Sequence, residues 1–195
     1  MPESHYTPFY ADLPFRGARQ YVHSTSLIQF LSGRFGCCAR CELVLKTWMA
    51  SRVVFTPVET IRPGEGTGYA KILQDDGQEI YLILSEDTDH AVTEREPFDE
   101  DAIVERDLVA DRILIATSPV HDVFIDWLIA ANKKLITTTL NPQVKLIASK
   151  IVMQYFPDSS EGFSLVLTGN VGTKIFKTTV LHNNTKFGEV VFYGE

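Results

Sequence analysis

Ser24-Thr25-Ser26-Leu27-Ile28-Gln29-Phe30-Leu31-Ser32-Gly33-Arg34-Phe35-Gly36 is the stretch on which the fold turns. Ser24, Thr25 and Ser26 offer side-chain oxygens to the orphan amides at a helix start. Leu27, Phe30, Leu31 and Phe35 then recur at i, i+3, i+4 and i+8, which makes one apolar stripe. Gly36 can take the left-handed conformation that ends a helix. Directly afterwards the period changes to two. Cys41, Leu43, Leu45, Thr47 and Met49 share one side, and Glu42, Val44, Lys46 and Trp48 the other. That alternation predicts a half-buried strand.

Working outward, Val53-Val54-Phe55 extends this strand or begins another. Pro57, Pro63, Gly64, Gly66 and Gly68 punctuate a loop. Tyr69 to Gln74 and Glu79 to Ser85 form a hairpin around Asp75-Asp76-Gly77, where glycine suits a positive φ. Ile103, Val104, Leu108, Ile113 and Leu114 suggest a helix from about Asp101 to Thr117. Ser118-Pro119 opens another, with Val123, Phe124, Trp127, Leu128 and Ala131 as its stripe. Leu135 to Leu140 reads as a strand. Residues 142–156 fit either a helix behind Asn141-Pro142 or a long Ile/Val-rich strand; we favour the helix.

The C-terminus reads as a meander of strands at Phe163–Thr168, Thr173–His182 and Glu189–Tyr193. Its links are residues 169–172 and 183–188. Residues 1–23 show no clear period. We read them as an irregular arm that packs Tyr6, Phe9, Tyr10 and Phe15 on the body. The expectation is therefore one α+β domain over 24–195, with a mainly antiparallel sheet and helices on one face.

The chain has 195 residues, 18 basic and 25 acidic side chains and a net charge of −7, and 45% of it is apolar. Those values exclude a collagen, a coiled-coil rod and a wholly disordered chain. No run approaches the ~18 apolar residues of a spanning helix, so no membrane partner is expected. From Glu86 to Asp111 eleven acids face two bases, Arg95 and Arg106, a local balance of −9. Such a segment repels phosphates, and no nucleic-acid partner is expected. It reads as a solvated face, or as a docking patch for a basic partner or a cation. The N-terminus carries no secretory leader pattern, and Cys37, Cys38 and Cys41 are clustered and odd in number. Both features fit a reducing cytoplasm.

Motif chemistry is sparse. Cys38-Ala39-Arg40-Cys41 lacks the second ligand pair that a zinc site needs, and it reads as packed thiols. Arg40 beside it leaves a reactive thiol as a weaker alternative. No two histidines have helical metal spacing. His121 stands beside Asp122, and His90 sits among Glu86, Asp87 and Asp89 without a calcium-loop pattern. Gly64-Glu65-Gly66-Thr67-Gly68 lacks the strand, lysine and helix of a phosphate loop. No G-x-S-x-G occurs. No cofactor, metal site or catalytic residue is assigned.

The order of these elements resembles the chorismate pyruvate-lyase family over residues 26–85 and 163–182. The likeness lies in the Leu27/Phe30/Leu31 helix ending at Phe35-Gly36, the strand Glu42–Trp48, the Asp76-Gly77 hairpin and Leu167-Thr168-Gly169-Asn170. The resemblance implies an antiparallel sheet and helices around a buried aromatic-acid pocket. The family's Arg-Glu pair falls here on Tyr69 and Ala70, with Lys71 next. Its second arginine falls on Leu84, and its late glutamate near Phe176-Lys177-Thr178. The resemblance thus implies the pocket without lyase activity. The expected function is binding of a small aromatic or carboxylate ligand by Tyr69, Lys71 and Lys177. The alternative is a non-catalytic module docking a basic partner through 86–111. Strand edges of the C-terminal meander permit a homodimer.

Overall fold

The computed structural model describes residues 7–36, 38–104, 113–115, 124–139, 145–157 and 162–194. The chain divides into two compact units, Met1–Phe98 and Asp99–Glu195. Each is an antiparallel sheet with its own long helix, so the α+β expectation holds.

In the first unit β1 (Phe9–Ala11) and β2 (Phe15–Arg16) precede α1 (Ser24–Phe35). Then come β3 (Arg40–Leu45), β4 (Ser51–Val58), β5 (Gly68–Leu73), β6 (Glu79–Ala91) and β7 (Arg95–Glu96). The strands lie in the order β1-β4-β6-β5-β3, and β2 pairs separately with β7 in parallel. The helix ends as its sequence predicts, at Gly36 with φ 62°. Leu27, Ile28 and Leu31 are buried along it. Phe30 stacks on Phe55 of β4 at 5.4 Å, and Phe9 stacks on the same ring at 5.1 Å. These ring contacts fix helix and sheet together. They also tie down part of the stretch 1–23. It was expected to be irregular, yet Phe9–Ala11 pairs with Val53–Phe55. The hairpin around Gly77 forms as predicted, with φ 87° at the glycine.

The second unit holds α2 (Glu100–Val104), β8 (Ile113–Ile115), α3 (Phe124–Thr139), β9 (Leu146–Met153), β10 (Phe163–Val171), β11 (Ile175–His182) and β12 (Thr185–Gly194). Its strand order is β9-β12-β11-β10-β8. Every residue of α3 from Phe124 to Asn132 is buried, as are Leu135 and Ile136. A helix apolar on most sides belongs inside a fold, not on its surface.

Four readings are corrected here. The helix expected over 101–117 is instead the short α2, followed by strand β8. Leu135–Leu140 is not a strand, because α3 runs to Thr139; burial of Leu135 and Ile136 outweighs the β-branched run behind them. Residues 142–156 are not a helix, because Leu146–Met153 is strand β9. The cause of that error is visible in the register. Val191 opposes Lys150 and Phe192 opposes Ala148, so Ser149 is an extra residue in β9. The bulge spaces the inward residues Ala148 and Ile151 three apart, which imitates a helical period. The link at 183–188 shrinks to Asn183-Asn184, both at positive φ, as a two-residue hairpin favours. Ser118-Pro119, His121, Asp122 and Cys37 lie outside the described residues.

Candidate functional site

Polar groups concentrate at the first turn of α1. The N-cap of this helix is His23, whose side chain makes no capping hydrogen bond. Ser24, Thr25 and Ser26, expected as caps, are all buried instead. Arg16 Nη1 donates to Thr25 Oγ1 at 2.6 Å, and His23 Nδ1 lies 2.7 Å from the same oxygen. Arg16 is 9% exposed, His23 3% and Thr25 0%.

The burial decides where the protons go. A fully enclosed hydroxyl needs a partner for its hydrogen. Thr25 Oγ1 already accepts from Arg16, and His23 Nδ1 is the acceptor that remains within reach. Thr25 therefore donates to Nδ1. The neutral imidazole then carries its hydrogen on Nε2, which makes that atom a donor. A neutral imidazole N–H held in this way can polarise a carbonyl oxygen.

The cation in this chain is brought in from the arm. The Arg16 guanidinium sits over the Phe98 ring, its carbon 4.0 Å from the ring centroid. Glu96 supplies a carboxylate partner, 4.0 Å from Arg16 Nε. The His23 and Phe98 ring centroids are 5.7 Å apart.

The residues anticipated as ligand contacts are placed elsewhere. Tyr69 and Lys71 are on β5, and Lys177 is on β11 in the other unit. Tyr69 donates to Glu42 Oε1 at 3.1 Å, and Lys71 Nζ stands 5.5 Å from the Tyr69 ring. Burial, then the Glu42 charge, holds the Tyr69 phenol above its ordinary value. Lys177 forms an ion pair with Glu189 at 3.0 Å. The cysteine alternative meets a physical obstacle. Cys38 and Cys41 are buried, and desolvation pushes the Cys41 thiol far above its ordinary range, so it stays protonated.

The acidic segment is also spoken for. Glu86 accepts from the Ala50 and Ser51 amides. Asp87 takes both Arg52, at 2.5 Å, and His90, at 2.9 Å. Glu100 pairs with Lys133 at 2.9 Å. The docking of a basic partner through 86–111 is therefore not favoured, because several of its carboxylates already serve the fold. Among the described residues no group of His, Cys, Asp or Glu could hold a metal ion, and no helix is long and apolar enough to cross a membrane.

Sequence reasoning missed His23, Thr25 and Arg16. The available signal was three consecutive hydroxyl residues ahead of an apolar stripe, which capping explained too readily.

No family model and no curated protein matches this sequence. Solved structures do match. The tesB protein of Mycobacterium avium subs paratuberculosis aligns at a TM-score of 0.50 and 8% identity, covering 100% of this chain and 95% of that one. A protein provisionally assigned as a thioesterase II, from Thermobifida fusca YX, aligns at 0.50 and 9% identity, covering 96% and 92%. The likeness establishes the fold, a hot-dog arrangement. It overturns the chorismate pyruvate-lyase resemblance and the aromatic-acid pocket that came with it. The element order used for that resemblance, helix then strand then hairpin, occurs in any fold that lays a helix on an antiparallel sheet. It could not separate the two families.

Proposed function

We propose that this protein binds acyl thioesters and hydrolyses them, with the thioester carbonyl oxygen accepting a hydrogen bond from His23 Nε2. The observation that carries the reading is the buried chain Arg16 to Thr25 to His23, which fixes the imidazole as a donor. The hot-dog fold, shared with a protein provisionally assigned as a thioesterase II, supports the choice of substrate class. In the reaction a water oxygen bonds to the carbonyl carbon and the carbon–sulfur bond breaks. The thiol leaves with one proton, and the carboxylic acid releases the other to solvent. His23 stabilises the negative oxygen of the tetrahedral intermediate, a role worth about 2.7–4 kcal/mol for a single donor. The two buried thiols, Cys38 and Cys41, support a cytoplasmic setting.

The test is hydrolysis of acyl-coenzyme A esters of graded chain length, followed by release of the free thiol. We expect turnover by the native chain and a loss of about 100-fold or more in kcat for His23→Gln. Absence of turnover with every chain length, or an unchanged kcat in His23→Gln, would refute the assignment.

A further inference from the structure

The sheet of the second unit has two faces of different chemistry. On one, Phe163 of β10 meets Phe124 of α3 with ring centroids 4.5 Å apart, and Phe176, Phe192 and Ala148 are buried on that side. On the other, Val171, Ile175, Tyr193 and Ile147 stand opposite one another on β10, β11, β12 and β9. Directly opposed residues of antiparallel strands project to the same side, so these four form one apolar row. At a strand spacing of about 4.8 Å the row is roughly 14 Å long. Val171 is 68% exposed, Tyr193 42% and Ile175 40%, three of the six large apolar side chains left exposed among the described residues. Their meeting in one row sets them apart from the single apolar residues scattered over an ordinary surface.

The charge around the row is mostly of one sign. Residues 162–188 carry three lysines and no carboxylate, in a chain whose net charge is −7. Lys174 lies in the turn between Val171 and Ile175. Lys177 stands two residues beyond Ile175 and opposes Val191, which in turn opposes Lys150, so both lysines share the outer face. Glu189 is the single carboxylate among the described residues of these four strands, and Lys177 and Lys186 hold it at 3.0 and 3.6 Å. We propose that this apolar row and its lysines form a docking surface for an anionic lipid bilayer. The apolar tips enter the boundary between headgroups and acyl chains, where the tyrosine ring with its polar end is at home. The lysines reach the lipid charges on their long stems. A bilayer fits a strip that ends on a hairpin turn, because it conforms to a protruding shape where a folded acidic protein would need a matching hollow. The turn is already set: Gly172 is at φ 56°, Lys174 N–H donates to Val171 O at 3.3 Å, and Gly194 N–H donates to Lys174 O at 2.7 Å. Little order is therefore lost on docking. The contact needs no spanning helix, and it is independent of the thioester reading.

The test is co-sedimentation of the full chain with vesicles of equal parts phosphatidylserine and phosphatidylcholine, beside vesicles of phosphatidylcholine alone. We expect the native chain to bind the first and to bind the second at least tenfold more weakly. Raising the salt from about 0.1 M to about 1 M should release most of it, since screening then acts within about 3 Å. Val171→Asp and Ile175→Asp, both at exposed positions, should each weaken binding about tenfold or more. Lys174→Gln, a change within the turn, should weaken it about fivefold. Circular dichroism and urea midpoints matching those of the native chain confirm that each variant is folded, and the lysine variant carries the test if an aspartate variant is not. Failure of the native chain to sediment with either vesicle overturns the proposal and leaves the row to an acidic protein surface. Equal binding to both vesicles, or unchanged binding by the folded variants, overturns it as well.

Discussion

The hydroxyl of Thr25 stands between a guanidinium and an imidazole, 2.6 Å from Arg16 Nη1 and 2.7 Å from His23 Nδ1, with no exposure to solvent. Thr25→Val keeps the shape and removes the oxygen. It leaves a buried cationic donor without this acceptor, which costs about 1–3 kcal/mol or more. Thr25→Ser keeps the oxygen and should stay within about 1 kcal/mol of the native chain. Urea denaturation midpoints separate the two. Equal midpoints for the valine and serine variants would show that the network contributes nothing.

Two glycines should respond in opposite directions to alanine. A Cβ on Gly188 would lie 2.1 Å from the carbonyl oxygen of Val152, where β12 passes β9. The neighbour is backbone and cannot swing aside, so Gly188→Ala should destabilise by several kcal/mol or fail to fold. A Cβ on Gly33 meets nothing within 4 Å, and Gly33 is in α1. Gly33→Ala should raise stability by about 0.5–1 kcal/mol. A thermal scan of both variants is decisive; a stabilised Gly188→Ala would contradict the strand pairing itself.

These glycines also show how far the sequence could be read. Gly77 and Gly36 are legible because they occupy positions that local turn and helix-end rules describe. Gly188 looked like part of a turn, since nothing near it in sequence reveals a neighbouring strand at van der Waals distance. The α1 stripe, the Gly77 hairpin and the meander were legible for the same local reason. The bulge at Ser149 was not, and it disguised β9 as a helix. The site was hidden by a stronger ambiguity. Ser24-Thr25-Ser26 satisfies the rule for helix caps, and only coordinates show that Arg16, nine residues away, takes the Thr25 oxygen instead.

Cys38 and Cys41 should resist modification. Both are buried, and desolvation, the nearby Cys38 and the Glu42 charge all raise the Cys41 thiol. The attacking species is the thiolate, so alkylation of these two positions by iodoacetamide should proceed no faster than unfolding. Peptide mapping of the labelled chain assigns each site. Rapid labelling of Cys41 under native conditions would show that β3 opens readily or is misplaced.

Asn132 is fully buried on α3. Its Nδ2 donates to Leu128 O at 2.8 Å, and its Oδ1 has no partner among the described residues. Replacing both polar groups with an apolar side chain of similar size removes an unsatisfied acceptor together with one bond. Asn132→Leu should therefore be within about 1 kcal/mol of native stability or above it. Asn132→Asp buries a charge in the same place and should cost several kcal/mol. If the leucine variant were the more damaging of the two, Oδ1 would have to be satisfied by a group not yet identified.

Glu189 ties the second unit's stability to pH. A hydrogen bond from Lys177, 3.0 Å away, and the charges of Lys177, Lys186 and Lys150 hold its carboxyl below the ordinary carboxylate value, against the opposing effect of burial. A folded value below the unfolded one means that the native chain gives up this proton more readily. The contribution is fully present above the unfolded value of about 4.5 and fades as pH falls through the lower folded value. The pair is partly solvated, so its worth is small, below about 1 kcal/mol. Lys177→Met should lower the urea midpoint slightly at neutral pH and leave it unchanged at pH low enough to protonate Glu189 in both states. The difference between the two chains should therefore close on acidification. A gap that stayed the same on acidification would mean that Lys177 stabilises the sheet by packing and not by charge.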